Sequence, residues 1–93
     1  MAEYMVRVEI YKANSESYEE LHKALEMLGM KRTVQGDSKL LKMPDGTYFG
    51  TSSLTAEQLR KRIHEMAKPF SHPSDPSIFV SQSVDWSAWL KPA

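Results

Sequence analysis

The sequence predicts one small α+β domain in which a sheet packs against two helices. Two kinds of pattern in its 93 residues carry this prediction. Apolar residues alternate with polar ones in segments near both ends of the chain, which is typical of half-buried strands. In two other segments they recur every three or four residues, which is typical of amphipathic helices. A chain of this length forms one domain, so we treat residues 1–93 as a single unit.

The first half of the chain predicts a strand, a helix and a second strand. In residues 4–11, Tyr4, Val6, Val8 and Ile10 point to one side, and Met5, Arg7, Glu9 and Tyr11 point to the other. Residues 14–17 are rich in helix-capping types, and Glu20 stands three positions after Ser17 as a capping box. The helix carries an apolar stripe of Tyr18, Leu21, Leu25 and Leu28. Gly29 is its predicted C-terminal cap, and residues 30–35 form the second strand.

Residues 39–53 allow two interpretations. Two extended segments flank the tripeptide Pro44-Asp45-Gly46. That tripeptide makes either a bulge within one strand or the tight turn of a hairpin. We favour a single irregular strand.

The second half predicts a helix, a loop, a last strand and a tail. Thr55 is the N-cap, Gln58 completes a capping box, and Pro69 stops the helix. Residues 69–77 form a loop, residues 78–84 alternate as a strand, and residues 85–93 form a tail that contains Trp86 and Trp89. The resulting order, βαββαβ, predicts the ferredoxin-like arrangement, a four-stranded antiparallel sheet with two helices on one face.

Composition excludes several classes of function. Twelve basic residues balance twelve acidic ones, which argues against a general nucleic-acid coat. The absence of cysteine excludes disulfides and zinc–thiolate sites. No glycine-rich phosphate loop and no helical histidine pair appears, so we expect no cofactor and no metal. We also expect no membrane span and no signal peptide, and hence a cytoplasmic protein.

The candidate functional residues fall into two groups. His22 lies beside Glu19 and Glu26, whose charges are expected to raise its pKa and suit it to acid–base chemistry; an ordinary surface histidine is the alternative. The sheet face without helices presents Arg7 and is expected to carry two aromatic residues, Tyr11 and Phe79, either for stacking bases or for packing a partner. Trp86 and Trp89 either cover that face or bind a second subunit.

The chain resembles a family of small bacterial proteins of unknown function that is similar to the endoribonuclease GhoS. The resemblance rests on Tyr4-x-Val6-Arg7-Val8-Glu9, Tyr18-Glu19-x-Leu21-His22, Gly29-Met30-x-Arg32-Thr33 and the Thr55-capped helix. GhoS is the antitoxin of a type V toxin–antitoxin pair and cleaves the messenger RNA of its toxin. It is similar in fold to the CRISPR-associated Cas2 proteins, which are ferredoxin-like dimers.

This resemblance implies an RNA-binding protein or a metal-independent endoribonuclease, with single-stranded RNA as its ligand. The metal-binding acidic residue of the Cas2 nucleases has no counterpart in residues 11–14, and a first-helix arginine of GhoS corresponds to His22. The resemblance therefore assigns catalysis to His22 and Arg32 and RNA contact to Arg7, and it implies a homodimer. The alternative function is a non-enzymatic protein-interaction module, encoded by a mobile element, that uses the open sheet face and the tryptophan tail.

Overall fold

A computed structural model describes all residues, 1–93, as six strands and two helices. In chain order the elements are β1 (Ala2–Glu9), α1 (Ser15–Met27), β2 (Met30–Lys31), β3 (Thr33–Gln35), β4 (Leu40–Lys42), β5 (Thr47–Ser52), α2 (Ala56–Ala67) and β6 (Ser77–Gln82). A short 3-10 turn, Lys68–Phe70, follows α2.

Four strands form the main sheet in the order β2-β5-β1-β6. Every neighbouring pair is antiparallel, and β1 lies in the middle, with β5 on one side and β6 on the other. The two remaining strands, β3 and β4, pair only with each other as a small second sheet. The α+β class predicted from the sequence is confirmed, with six strands in two sheets instead of four in one.

The core lies between one face of the main sheet and both helices. The alternating residues of β1, Tyr4, Val6 and Val8, are buried, and so is Ile10, which follows the strand. Leu21 and Leu25 of α1 belong to the same apolar cluster as Leu59, Ile63 and Ala67 of α2. Because both helices share one core with the buried side chains of β1, they lie on the same side of the sheet and the opposite face receives no helix. We call this helix-free side the open face.

The helix boundaries follow local capping. Asn14, not Ser17, caps α1, because its side-chain Oδ1 accepts the Ser17 N–H at 2.8 Å and so starts the helix earlier than the predicted capping box. The capping box of Thr55 and Gln58 on α2 is confirmed. Gly29 ends α1 with φ of +85°, a conformation that favours glycine. Neither helix has the length and apolar character needed to cross a membrane.

The interpretation of residues 39–53 as one irregular strand is wrong, and the hairpin alternative is wrong as well. β4 pairs with β3, whereas β5 pairs with β1 and β2. Pro44 has no N–H to continue a strand ladder, and its carbonyl accepts the Thr47 N–H at 3.0 Å. Gly46 completes this turn with φ of +73°. The predicted strand 30–35 is likewise divided at Arg32, whose carbonyl accepts the Met43 N–H at 2.8 Å.

The C-terminal tail is attached to the domain at both ends. At its start, the Ser83 N–H donates to the Glu3 carbonyl at 2.8 Å. At its end, the Lys42 N–H donates to the Lys91 carbonyl at 2.9 Å and the Ala93 N–H donates to the Leu40 carbonyl at 3.1 Å. Between these points the Trp86 ring packs on Phe49 of β5, with centroids 5.3 Å apart. The tail therefore covers the part of the open face around Met5 and Phe49.

Candidate functional site

A polar cleft lies beside the first turns of α1. It has a volume of about 580 Å³ and is bounded by the end of β1, the start of α1, the β2–β3 junction and the turn before β5. The polar side chains that line it are Arg7, Glu9, Ser15, Tyr18, Glu19, His22, Arg32 and Asp45. The three residues singled out for RNA contact and catalysis, Arg7, His22 and Arg32, are thus brought together in one cleft.

His22 is held in the cleft by a buried tyrosine. Its Nδ1 lies 2.7 Å from the hydroxyl oxygen of Tyr48, which points from β5 into the core. The Tyr48 side chain is fully buried and this hydroxyl forms no other hydrogen bond, so we infer that its proton is donated to Nδ1. The imidazole proton is then on Nε2. Nε2 has no hydrogen-bond partner within the protein, whereas every buried side-chain nitrogen has one. Nε2 is therefore not buried but open to solvent.

The environment keeps the imidazole of His22 neutral near pH 7. Partial burial lowers the pKa of His22 from its usual 6.5, and the positive charge of Arg32 lowers it further. Glu19 and Asp45 act in the opposite direction but do not outweigh these two effects. The expectation of a raised pKa for His22 is therefore wrong, although Glu19 acts in the expected direction. A neutral ring that carries its proton on Nε2 is a hydrogen-bond donor toward a bound ligand.

Burial of Tyr48 also affects its own ionisation. Burial raises the pKa of the Tyr48 hydroxyl from 10.0 to about 12, and Arg32 opposes this rise only in part. The hydroxyl is therefore protonated throughout the physiological range. It remains available as the donor that orients His22.

Neither arginine of the cleft is engaged in an ion pair. The salt bridges of the protein join Lys23 to Glu20, Lys61 to Glu57 and His64 to Asp75, all outside the cleft. Arg7 makes one weak contact, from Nη1 to the Thr47 hydroxyl at 3.4 Å, and Arg32 is exposed at the β2–β3 junction. Both guanidinium groups are therefore free to bind an anion, with no internal carboxylate to displace.

The cleft also contains three carboxylates, those of Glu9, Glu19 and Asp45. With two arginines and a neutral histidine, its formal charges do not add up to a positive surface. A ligand that carries an anion at one end and hydrogen-bond donors at the other fits such a mixed lining better than a simple anion does. No three histidine or carboxylate side chains converge in an arrangement that would hold a metal ion.

The predicted aromatic residues lie outside this cleft. The Tyr11 hydroxyl lies 2.6 Å from the Ser77 hydroxyl at the end of β6. Phe79 is 64% exposed on the open face, directly across from Arg7 in the β1–β6 register. Trp86 covers part of that face, as one of the two interpretations of the tail expected. Trp89 is fully exposed.

A second, mostly apolar cleft lies under the tail. It has a volume of about 320 Å³, and its lining includes Met5 and Phe49 of the open face, Val34 of the small sheet, and both tail tryptophans. The tail bridges the main sheet and the β3–β4 pair above this cleft. It is separate from the polar cleft and contains none of its arginines.

Sequence reasoning missed Tyr18 and Asp45, which line the polar cleft, and the buried Tyr48, which holds His22 there. Tyr48 is the most informative omission, because it fixes the tautomer of His22. One signal was present in the sequence: a tyrosine that faces the core needs a partner for its hydroxyl, and a polar residue beside an apolar helix stripe is a natural one. The separation of 26 positions between Tyr48 and His22 hid the pair.

No protein-family model matches the chain, and no curated protein matches it.

Proposed function

We propose that this protein binds single-stranded RNA of the kind handled by GhoS-type antitoxins, with a backbone phosphate in the polar cleft. One observation carries the proposal: Arg7 and Arg32, both without ion pairs, share the cleft with the open Nε2 of His22. Guanidinium groups bind phosphate oxygens with paired N–H donors. A neutral imidazole N–H adds a further donor without adding charge.

The carboxylates of the cleft support RNA over a simple phosphate. The ribose 2′-hydroxyl and the amino groups of bases are hydrogen-bond donors, and carboxylates accept from them. Glu19 and Asp45 line the same cleft as the arginines, so one nucleotide presents its anion and its donors to complementary groups. The 2′-hydroxyl distinguishes RNA from DNA, and we expect RNA to bind more tightly than DNA of the same sequence.

Metal-independent cleavage extends this proposal. A carboxylate of the cleft takes the proton of the 2′-hydroxyl, and O2′ attacks the adjacent phosphorus while the bond from phosphorus to O5′ breaks and water protonates the leaving oxygen. The products are a 2′,3′-cyclic phosphate and a 5′-hydroxyl. In this scheme Arg32 and the Nε2–H of His22 stabilise the charge that develops on the phosphate, as the resemblance to GhoS implies.

A ferredoxin-like arrangement is part of the same proposal. With β2 and β3 counted as the second strand of that topology, β5 as the third and β6 as the fourth, the order β2-β5-β1-β6 and its antiparallel pairs support it. The two helices that share one core with β1 support it as well. The small β3–β4 sheet is an addition to the pattern.

RNA affinity measured over a range of salt concentrations tests the proposal. Each single-strand phosphate contact contributes about 0.7 to the slope of log affinity against log salt, so Arg7→Ala and Arg32→Ala are each expected to lower the slope by about that amount. Arg60→Ala is the matched control, because Arg60 is exposed on α2 and does not line the cleft. His22→Gln is expected to weaken binding with the slope unchanged.

The outcomes separate binding from cleavage. No RNA binding at low salt would refute the proposed function, as would an Arg60→Ala variant that loses as much affinity as Arg7→Ala. Cleavage in EDTA that a single 2′-deoxy substitution abolishes would establish the transesterification step. Binding without such cleavage would leave an RNA-binding protein.

A protein-interaction module is the alternative function, and one observation favours it. Trp89 is fully exposed beside the apolar cleft under the tail, and large aromatic residues are enriched in binding hot spots. A homodimer or another protein partner seated on this tail is what the alternative requires. Absence of RNA binding together with a concentration-dependent dimer in sedimentation would favour it.

A further inference from the structure

The part of the open face that the tail leaves uncovered presents one exposed aromatic ring, close to the polar cleft. Phe79 of β6 is 64% exposed, although it lies in the middle of its strand. Its partner across the β1–β6 ladder is Arg7, which lines the polar cleft. Directly opposed residues of an antiparallel pair have Cα atoms about 4.5–5.5 Å apart. Phe79 and Arg7 are therefore cross-strand neighbours on one surface, and the Arg7 side chain extends toward β5, where its Nη1 contacts the Thr47 hydroxyl at 3.4 Å.

Two other aromatic residues near this face are engaged within the protein: the Phe49 ring packs against Trp86, and the Tyr11 hydroxyl is hydrogen-bonded to Ser77. Trp89 is exposed, but it belongs to the tail and lines the apolar cleft, which contains no arginine. Phe79 makes no aromatic contact within the protein. It is thus the exposed aromatic ring of the sheet that stands opposite an arginine of the polar cleft.

The nearest neighbours of Phe79 on this face are polar, with one exception. Ser77 and Ser81 flank it along β6, Arg7 lies opposite, Glu9 lies on one diagonal, and Met5, which lines the apolar cleft, lies on the other. A docking helix or strand needs contiguous apolar area, which a single ring among such neighbours does not provide. A nucleobase needs one flat apolar contact with polar groups at its edges, and this arrangement supplies both.

We propose that Phe79 is a stacking platform for an unpaired base of an RNA strand whose phosphate is bound by Arg7. This inference rests on the proposed function and deepens it, because it names the side chain that contacts a base of the bound strand. Bases in a duplex are stacked on each other and present no free face to the ring, so Phe79 selects single strands.

The test compares a short single-stranded oligouridylate with a duplex of the same length, using wild-type protein and Phe79 variants. Stacking on an aromatic side chain contributes enough to expect Phe79→Ala to weaken single-strand binding about 5- to 150-fold and to leave duplex binding unchanged. Phe79→Trp is expected to keep the affinity. Phe79→Leu keeps an apolar side chain but lacks a π face, and it is expected to behave like Phe79→Ala.

An abasic oligonucleotide supplies the complementary arm. It retains the phosphates for Arg7 but has no base to stack, so wild type and Phe79→Ala are expected to bind it equally. Full affinity of Phe79→Leu for oligouridylate, or an equal loss of abasic and oligouridylate binding in Phe79→Ala, would overturn the inference. If Arg7→Ala still weakens binding in that case, the proposed function stands without it; if no oligonucleotide binds wild type, the proposed function fails.

Discussion

Replacement of Tyr48 by phenylalanine tests the hydrogen bond on which the orientation of His22 depends. The Tyr48 side chain is fully buried, and its hydroxyl oxygen lies 2.7 Å from Nδ1 of His22. Tyr48→Phe removes this hydrogen bond without changing the shape of the ring. We expect the free energy of unfolding at neutral pH to fall by about 1 kcal/mol. In a domain of this size such a loss lowers Tm by about 4–8 °C.

The sign of the difference is expected to reverse at alkaline pH. The pKa of Tyr48 is about 12 in the folded protein, against the usual 10.0. A raised pKa gives a stabilising contribution that is complete below pH 10 and is lost as the pH rises through the folded value. A difference of two pKa units corresponds to roughly 3 kcal/mol. Because phenylalanine cannot ionise, Tyr48→Phe becomes the more stable protein at about pH 11, once wild type has lost roughly 1 kcal/mol.

Urea unfolding followed by circular dichroism at a series of pH values measures both effects. Other groups that titrate in this range are common to the two proteins, so they cancel in the difference between wild type and variant. Tyr11→Phe is the matched control: it removes a hydroxyl that bonds to Ser77 at the surface, and we expect no crossing with wild type. Stability curves of wild type and Tyr48→Phe that stay parallel up to high pH would refute this account of the buried pair.

Two further predictions concern the frame around the clefts. A Cβ at Gly50 would overlap the carbonyl oxygen of Gly29, so Gly50→Ala is expected to lower the free energy of unfolding in urea by about 3 kcal/mol. The atom nearest to a Cβ at Gly36 belongs to the Leu41 side chain, which can move, so Gly36→Ala should lower the free energy of unfolding less. Trp86→Ala removes the aromatic contact under the tail and should speed limited proteolysis of residues 83–93, whereas the same change at fully exposed Trp89 should not. Equal effects within either pair would contradict the packing described above.

The elements that the sequence predicts well are those whose pattern is local. The alternation in β1 and the capping box of α2 are complete within a few residues, and both are confirmed. The small β3–β4 sheet depends instead on distant chain segments. Pro92 forms a bridge with Leu41 on the outer side of β4, a contact that no period in residues 39–53 encodes. Periodicity alone therefore assigns the residues of β3 and β4 to the neighbouring strands.

The charge of His22 shows the same limit at the site. Its neighbours along the helix, Glu19 and Glu26, suggest a raised pKa, because residues three or four positions apart lie on the same helix surface. Tertiary structure reverses this direction, since burial and Arg32 come from outside the helix and outweigh Glu19. Tyr48, from β5, then orients the ring.

The neutral charge of the whole chain hides a local separation of charge that matters for binding. Twelve basic and twelve acidic residues cancel in the sum, and that sum argues correctly against a general coat for nucleic acid. It does not describe a cleft in which Arg7 and Arg32 lack ion-pair partners while Glu19 and Asp45 line the same space. Counterion release scales with the phosphates that are neutralised locally, so the proposed function predicts a shallow salt dependence for a neutral protein with two free arginines. We therefore expect a shallow slope of log affinity against log salt concentration, and a still shallower one when either arginine is replaced.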